Sequence, residues 1–284
     1  MITREGTIPT FDGLELYYTC RLPDRKATAN LAMVHGYGDH VARHLPFAQR
    51  CAEAGIAFWG IDLRGHGRSP GQRGFIRSWD DYLGDTDTLL ELAGRELPGL
   101  PLFLLGHSMG GVIVLDYAER RSKGLSGVIA TSPELGTLPV APALVLIAKV
   151  LSSVWPRFAM KTPLDLAALS RNADVGRAAA ADPLYHNTGT ARLGTELIAA
   201  VSRVRKHAKE IGLPLLMLQG GADRIAPPDA TRSFFDEVPE GKKELLFYEN
   251  AYHELDLDSD GERASRDLFA WVARRLRMQA AKNR

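Results

Sequence analysis

A chain of 284 residues that is 45% hydrophobic and 24% charged has room for one large domain or two ordinary ones, and its make-up is that of a soluble globular protein. Its 35 basic and 34 acidic side chains leave a net charge of +1, which gives no electrostatic reason to expect nucleic acid as a partner. Two cysteines, Cys20 and Cys51, are too few for a disulfide framework and read as small buried hydrophobes in a reducing compartment.

The first residues, Met1 to Gly6, carry no apolar segment of the kind a secretion signal needs, and no run of about 18 apolar residues occurs, so a cytoplasmic protein is expected. Glu5 to Phe11 and Leu14 to Cys20 flank the turn dipeptide Asp12-Gly13, which predicts an opening β-hairpin. Short apolar runs then recur as strand candidates: Leu31 to Val34, Ile56 to Ile61, Leu102 to Leu105, Val128 to Thr131, Leu215 to Leu218 and Glu244 to Tyr248. Between them, Leu45 to Ala54, Trp79 to Glu96 and Val112 to Arg121 show helical spacing or charge distribution. This alternation predicts an α/β fold, a mostly parallel central sheet with helices on both faces.

One interval breaks the alternation. Roughly 80 residues separate Thr131 from Pro214, far more than a crossover needs. Its first part, Pro139 to Met160, is unusually apolar, and the rest is helix-prone with breaks at Pro163 and Pro183. We expect an inserted helical cap over the carboxyl ends of the strands, where an open α/β sheet carries its ligand site. On this reading residues 1–133 and 206–284 form the core domain and 134–205 the cap. Lys149, Ser152, Ser153, Pro156 and Arg157 make the stretch Ala141 to Ala159 too polar to span a membrane, but it can touch a lipid surface. The basic tail, Arg274, Arg275, Arg277, Lys282 and Arg284, reads as the solvated end of a last helix.

Gly106-His107-Ser108-Met109-Gly110 lies directly behind an apolar run and directly ahead of a helical one, the sequence form of a nucleophile elbow. A serine on so tight a strand-to-helix turn needs small residues at minus two and plus two, because neighbouring backbone passes close by. Chance predicts about 0.1 G-x-S-x-G matches in a chain with this many serines and glycines. There are two. In the other, Gly67-Arg68-Ser69-Pro70-Gly71, the residue after the serine has no N–H to give to an oxyanion and no strand precedes it, so Ser69 reads as structural.

A serine hydroxyl needs a base, and the base needs a carboxylate. His186, His207 and His253 follow Ser108. His207 lies in the basic run Arg203 to His207 and reads as a surface residue, His186 falls in the cap, and His253 follows the last strand at the carboxyl edge of the sheet, which makes it the candidate base. Asp223 follows the penultimate strand at the same edge and is the candidate acid. Its bland role is to cap the helix after Pro227-Pro228. Asp229 is further from the strand end, while Asp256 and Asp258 read as parts of a solvated acidic loop. His35-Gly36-Tyr37-Gly38 occupies the turn that supplies a second oxyanion donor, so the N–H groups of Tyr37 and Met109 are expected to converge, with His35 packed beneath. His66 reads as a turn-building residue. No spacing supports a metal site, since His35, Asp39 and His40 match no known ligand pattern.

With these residues the chain resembles the monoglyceride lipase and lysophospholipase group of α/β-hydrolases over nearly its whole length. The resemblance rests on His35 to His40, Asp62 to Ser69, Gly106 to Gly111, Leu169 to Asn172 with Asp182-Pro183-Leu184, Gln219 to Asp223, and Tyr252-His253. It implies Ser108, Asp223 and His253 as the catalytic residues, Tyr37 and Met109 as oxyanion donors, and no metal or organic cofactor. Tyr37 stands where family members often carry a small residue. The expected substrate is a lipid ester, a monoacylglycerol, with Leu144, Ile147, Leu151 and Trp155 as substrate contacts and a transient membrane-surface contact through the cap. Rival expectations are a lysophospholipase, a short-chain carboxylesterase and, from another class, a ligand-binding receptor on the same fold.

Overall fold

The computed structural model describes residues 1–122, 124–136 and 142–282, and for 142–144 and 282 the backbone alone. The expectations on Pro139 and Ala141, on the Leu144 side chain and on Arg284 therefore fall outside the described residues.

The opening turn sets the first strand pair. Gly13 takes φ 83°, a conformation that costs other residues strain, and the Thr10 hydroxyl accepts from the Leu14 N–H at 3.1 Å. This joins β1 (Ile2–Pro9) to β2 (Glu15–Leu22) in antiparallel register, Ile8 facing Leu16. β3 (Ala29–Val34) and β4 (Ile56–Ile61) are buried at every position, as strands covered on both faces must be, and α1 (Leu45–Glu53) connects them. There follow α2 (Asp80–Glu96), β5 (Leu102–His107), α3 (Met109–Arg120) and β6 (Leu125–Thr131). After an insertion come β9 (Leu215–Gly220), α7 (Pro228–Glu237), β10 (Lys243–Tyr248) and α8 (Gly261–Lys282); the insertion itself holds α4 (Pro142–Val154), β7 (Ala159–Lys161), α5 (Ala173–Ala181), β8 (Thr188–Thr190) and α6 (Ala191–Lys206).

The eight-stranded sheet runs β1-β2-β4-β3-β5-β6-β9-β10, antiparallel at the first three strands and parallel from β4 onward. One face is covered by α1 and α8 through Phe47, Cys51, Leu268 and Trp271; the other by α2 and α3 through Leu83, Leu89, Val112 and Leu115. Cys20 and Cys51 are free and fully buried. Among the described residues no helix is long and apolar enough to cross a membrane.

Short-range patterning missed the two-stranded β7–β8 sheet, in which Ala159 pairs with Thr190. Three-residue strands leave no periodicity to read. The insertion touches the loops that follow the parallel strands. His186 N–H donates to the Gly38 carbonyl at 2.9 Å, Glu254 N–H to the Leu169 carbonyl at 2.8 Å, and Thr190 Oγ1 to the Gly74 carbonyl at 2.6 Å. Within the insertion α4 lies against α6, where Thr195 Oγ1 donates to Ser152 Oγ at 2.9 Å. Consequently the small Ser152 is the buried residue of α4 among its described side chains, while Ile147 and Trp155 are 53% and 61% exposed. Leu151 is half-buried.

Candidate active site

Ser108 sits between β5 and α3 at φ 55°, ψ −117°, outside the regions that L-residues favour. What holds it there is the crowding its glycines permit. A Cβ at Gly106 would lie 2.1 Å from the Gly110 carbonyl oxygen, and one at Gly110 would lie 2.2 Å from the Val34 oxygen and 2.5 Å from that of His35. Strands β3 and β5 therefore close on the turn from both sides. The Ser108 N–H donates to the Thr131 carbonyl at 3.0 Å, tying the elbow to β6 as well.

His253 and Asp223 come together from the loops after β10 and β9. His253 Nδ1 lies 2.9 Å from Asp223 Oδ2, with both side chains buried. The remaining capacity of this carboxylate is used: Oδ2 also accepts from Gln219 Nε2 at 3.1 Å, and Oδ1 from the N–H groups of Ile225 and Ala226 at 2.8 and 2.9 Å. Burial opposes the charge on Asp223, but the His253 imidazole and the N–H donors prevail and hold it below the usual carboxylate range. Burial likewise opposes a charged His253, yet Asp223 foremost, then Glu134 and Glu254, raise it above the usual histidine range. The turn aspartate and the histidine partner are thus one residue, since both N–H contacts lie immediately before α7.

Ser108 is half-buried and open to approach, and its hydroxyl makes no hydrogen bond among the described residues. Such nucleophile–base contacts are commonly long before substrate arrives. The His253 ring lies 4.8 Å from that of His107, the residue preceding Ser108, tilted by 52°, and the His253 carbonyl accepts from Ser132 Oγ at 2.8 Å. Gly36 brings the turn after β3 close enough that a Cβ there would lie 3.1 Å from Ser108 Cβ. Tyr37 and Met109 therefore flank the serine, their N–H groups without a partner among the described residues. The Tyr37 ring itself turns to the insertion, where its hydroxyl lies 3.0 Å from Thr162 Oγ1.

The other polar residues find structural work. Ser69 is buried and accepts from the Tyr17 N–H at 2.9 Å. His35 accepts from the Leu63 N–H at 2.9 Å, and His66 Nδ1 lies 3.1 Å from the Arg64 carbonyl. His186 Nε2 lies 3.2 Å from the Gly65 carbonyl, away from the serine. His40 pairs with Asp182 at 2.9 Å. The reading of Asp256 and Asp258 as a solvated loop is corrected. Asp256 lies 2.7 Å from His44 Nδ1, whose Nε2 is 2.7 Å from Asp39, and Asp258 is buried and holds Arg171. Their cationic partners are far away in sequence, so a local acidic run resembled a wet one. His207 is half-buried rather than free, with Glu119 and Glu210 at 3.2 and 3.0 Å, at the end of α3 remote from Ser108. These three could offer ligand atoms to a cation, but their mutual ion pairing already accounts for them.

Sequence reasoning missed Arg43, which grips Glu254 with two bonds of 2.7 Å and Asp39 with one of 2.9 Å. This buried grip ties the turn after β3 to the residue beside His253. Burial opposes the charge on His44, but its two carboxylates hold it well above the usual histidine range; burial and the neighbouring His253 and His44 push His107 down to about 3.

Comparison with known proteins places the chain in a family. Residues 25–260 match the family described as serine aminopeptidase, S33. The chain is 32% identical over 266 residues to a monoacylglycerol lipase of Mycolicibacterium smegmatis, covering 93% of this chain and 95% of that one. It is 31% identical over 269 residues to the monoglyceride lipase of Homo sapiens, covering 93% and 88%. The crystal structure of Paleococcus ferrophilus monoacylglycerol lipase superposes with a TM-score of 0.84 at 33% identity, covering 92% of this chain and 99% of that one. The chain belongs to this serine aminopeptidase family and, within the α/β-hydrolase fold, to the monoglyceride lipase and lysophospholipase group.

Proposed function

We propose that the chain is a serine ester hydrolase that cleaves monoacylglycerols to fatty acid and glycerol through an acyl-enzyme. Ser108 Oγ attacks the ester carbonyl while His253 accepts its proton, and Asp223 fixes the imidazole tautomer and stabilises its charged form. The N–H groups of Tyr37 and Met109 hold the negative oxygen. The tetrahedral intermediate collapses, the ester C–O bond breaks, and His253 returns its proton to the departing glycerol oxygen. Water, deprotonated by the same His253, then cleaves the acyl-enzyme and frees Ser108. The observation that carries this reading is the buried His253–Asp223 pair at 2.9 Å beside a serine strained at φ 55°.

The substrate class draws support from the relatives named as monoacylglycerol lipases and from the apolar surface of α4. We read residues 1–133 and 206–284 as the core and 134–205 as a cap, since the insertion meets the loops after β3 and β10. Leu146, Ile147, Val150, Val154 and Trp155 leave one face of α4 exposed, larger than a solvated helix needs, which favours transient contact with a lipid surface. Leu144, Ile147, Leu151 and Trp155 are the substrate contacts in this reading. The test is a rate comparison across monoacylglycerols of several chain lengths, a diacylglycerol, lysophosphatidylcholine and a short aryl ester. Highest kcat/KM on monoacylglycerols is expected. Preference for lysophosphatidylcholine would make the protein a lysophospholipase, activity falling with chain length a short-chain carboxylesterase, and slow single turnover with tight retention a receptor.

A further inference from the structure

The segment after β6 is fastened to both halves of the proposed machinery. Ser132, at φ 43°, donates its hydroxyl to the His253 carbonyl at 2.8 Å, and two residues on, the Glu134 N–H donates to the Ser108 carbonyl at 3.2 Å. Glu134 is thus one hydrogen bond from the backbone of the nucleophile. Its side chain is half-buried, and its Oε1 would lie 3.4 Å from a Cβ on Gly136, a residue that itself packs beside the Pro227 ring from the loop after β9. Among the described residues no cation lies within ion-pairing distance, 4.0 Å, of this carboxyl. A carboxyl half out of water with no counter-ion is costly. Its part in the chemistry of Ser108, His253 and Asp223 is confined to helping Asp223 raise His253.

We propose that Glu134 is a specificity-determining residue, a fixed acidic group beside Ser108 that favours uncharged esters and disfavours esters carrying a negative charge near the reacting carbonyl. This rests on the reading of Ser108 as nucleophile and deepens it. The sheet order sets β3, with Tyr37, on one side of β5 and β6, with Glu134, on the other. The acid therefore stands on the side of Ser108 opposite Tyr37. A second negative charge brought into a half-buried site meets a stronger repulsion than in bulk solvent, whereas a glycerol ester meets none.

The discrimination is tied to pH. Burial, with Asp223 adding to it, pushes Glu134 up to about 7 against the opposing pull of His253. The groups that face Glu134 are those two, from the loops after β9 and β10. Arg205 on α6 donates instead to the Leu135 carbonyl at 3.0 Å, and Arg224 is engaged with Asp165 and the Tyr252 ring. Glu134 is thus charged at pH 8 and largely neutral at pH 6.

The test compares kcat/KM within two pairs of esters. One pair carries its charge on the acyl side (4-nitrophenyl pentanoate against the 4-nitrophenyl monoester of glutaric acid), the other on the alcohol side (1-lauroylglycerol against its 3-phosphate). At pH 8 the wild-type chain prefers the neutral member of at least one pair, and Glu134→Gln reduces that preference by about tenfold, while Glu134→Asp retains it. Lowering the pH to 6 reduces the wild-type preference for pentanoate over glutarate, which stays ionised throughout, and leaves the Gln variant flat. Glu134→Leu gives the same readout if the glutamine variant fails to fold. Preferences within about twofold of wild type for both pairs in folded Glu134→Gln or Glu134→Leu would overturn the inference. A wild-type chain that hydrolyses neither neutral ester would instead overturn the reading of Ser108 on which it stands.

Discussion

Ser108 is the residue whose loss is expected to cost the most. Ser108→Ala should lower kcat by about 10⁶, the scale on which comparable triads fail, and should abolish labelling by a fluorophosphonate; near-normal turnover would remove the mechanism. Asp223→Asn keeps the shape of the site but withdraws the charge that His253 leans on. A fall in kcat of about 10³ to 10⁴ is expected. The pH profile gives an independent check. Because Asp223 raises His253, the catalytic base becomes protonated as pH falls through a value above the usual histidine range, and activity is lost on that limb. In Asp223→Asn the limb should move to lower pH. The placement of these three side chains was legible in the sequence, since each follows closely on a strand. The Asp256–His44–Asp39 arrangement was not, because its members are brought together only by folding.

At the level of elements, the elbow depends on close approach more than on side-chain chemistry. Gly110→Ala would set a methyl group 2.2 Å from the Val34 oxygen, in a place where neither backbone can yield without moving a central strand. Destabilisation of about 2 kcal/mol or more is expected in denaturant unfolding, and activity should fall with it. Equal stability to wild type would show that the turn has slack. Helix α4 makes the contrary case. Val154 and Leu146 are 76% and 64% exposed, so Val154→Asp with Leu146→Asp should leave the thermal midpoint almost untouched. The same double change should weaken sedimentation with phospholipid vesicles and reduce rates on long-chain monoacylglycerols more than on a short aryl ester. Equal loss on both substrates would return α4 to a packing role.

Across the whole molecule, acid stability should be governed by histidines buried in their neutral form. Burial is the largest cause in each: His107 is pushed down to about 3 and His186 to about 4, and His35 and His66 are also lowered. A folded-state value below that of the unfolded chain means that the unfolded state binds more protons in the interval between them, so stability falls as pH falls. The loss should begin near pH 6.5 and continue toward pH 4, while Asp223, held low in the fold, adds its own loss further down. Thermal midpoints measured from pH 8 to pH 4 should therefore decline across that window, and His186→Gln should flatten the upper part of the decline. An unchanged slope in that variant would assign the acid sensitivity elsewhere.

The amino-acid sequence by itself determined the alternation of strands and helices, the opening hairpin, the length of the insertion, and the strand ends that carry Ser108, Asp223 and His253. All of these are written in short-range periodicity and turn chemistry. Only the tertiary structure decided which face of α4 is exposed, how Asp256 and Asp258 are paired, and that Glu134 stands beside the nucleophile. The physical reason is the same in each case. Burial and charge compensation depend on partners such as Thr195, His44, Arg171 and Ser108, which lie 26 to more than 200 residues away along the chain and become neighbours only when the sheet closes around them.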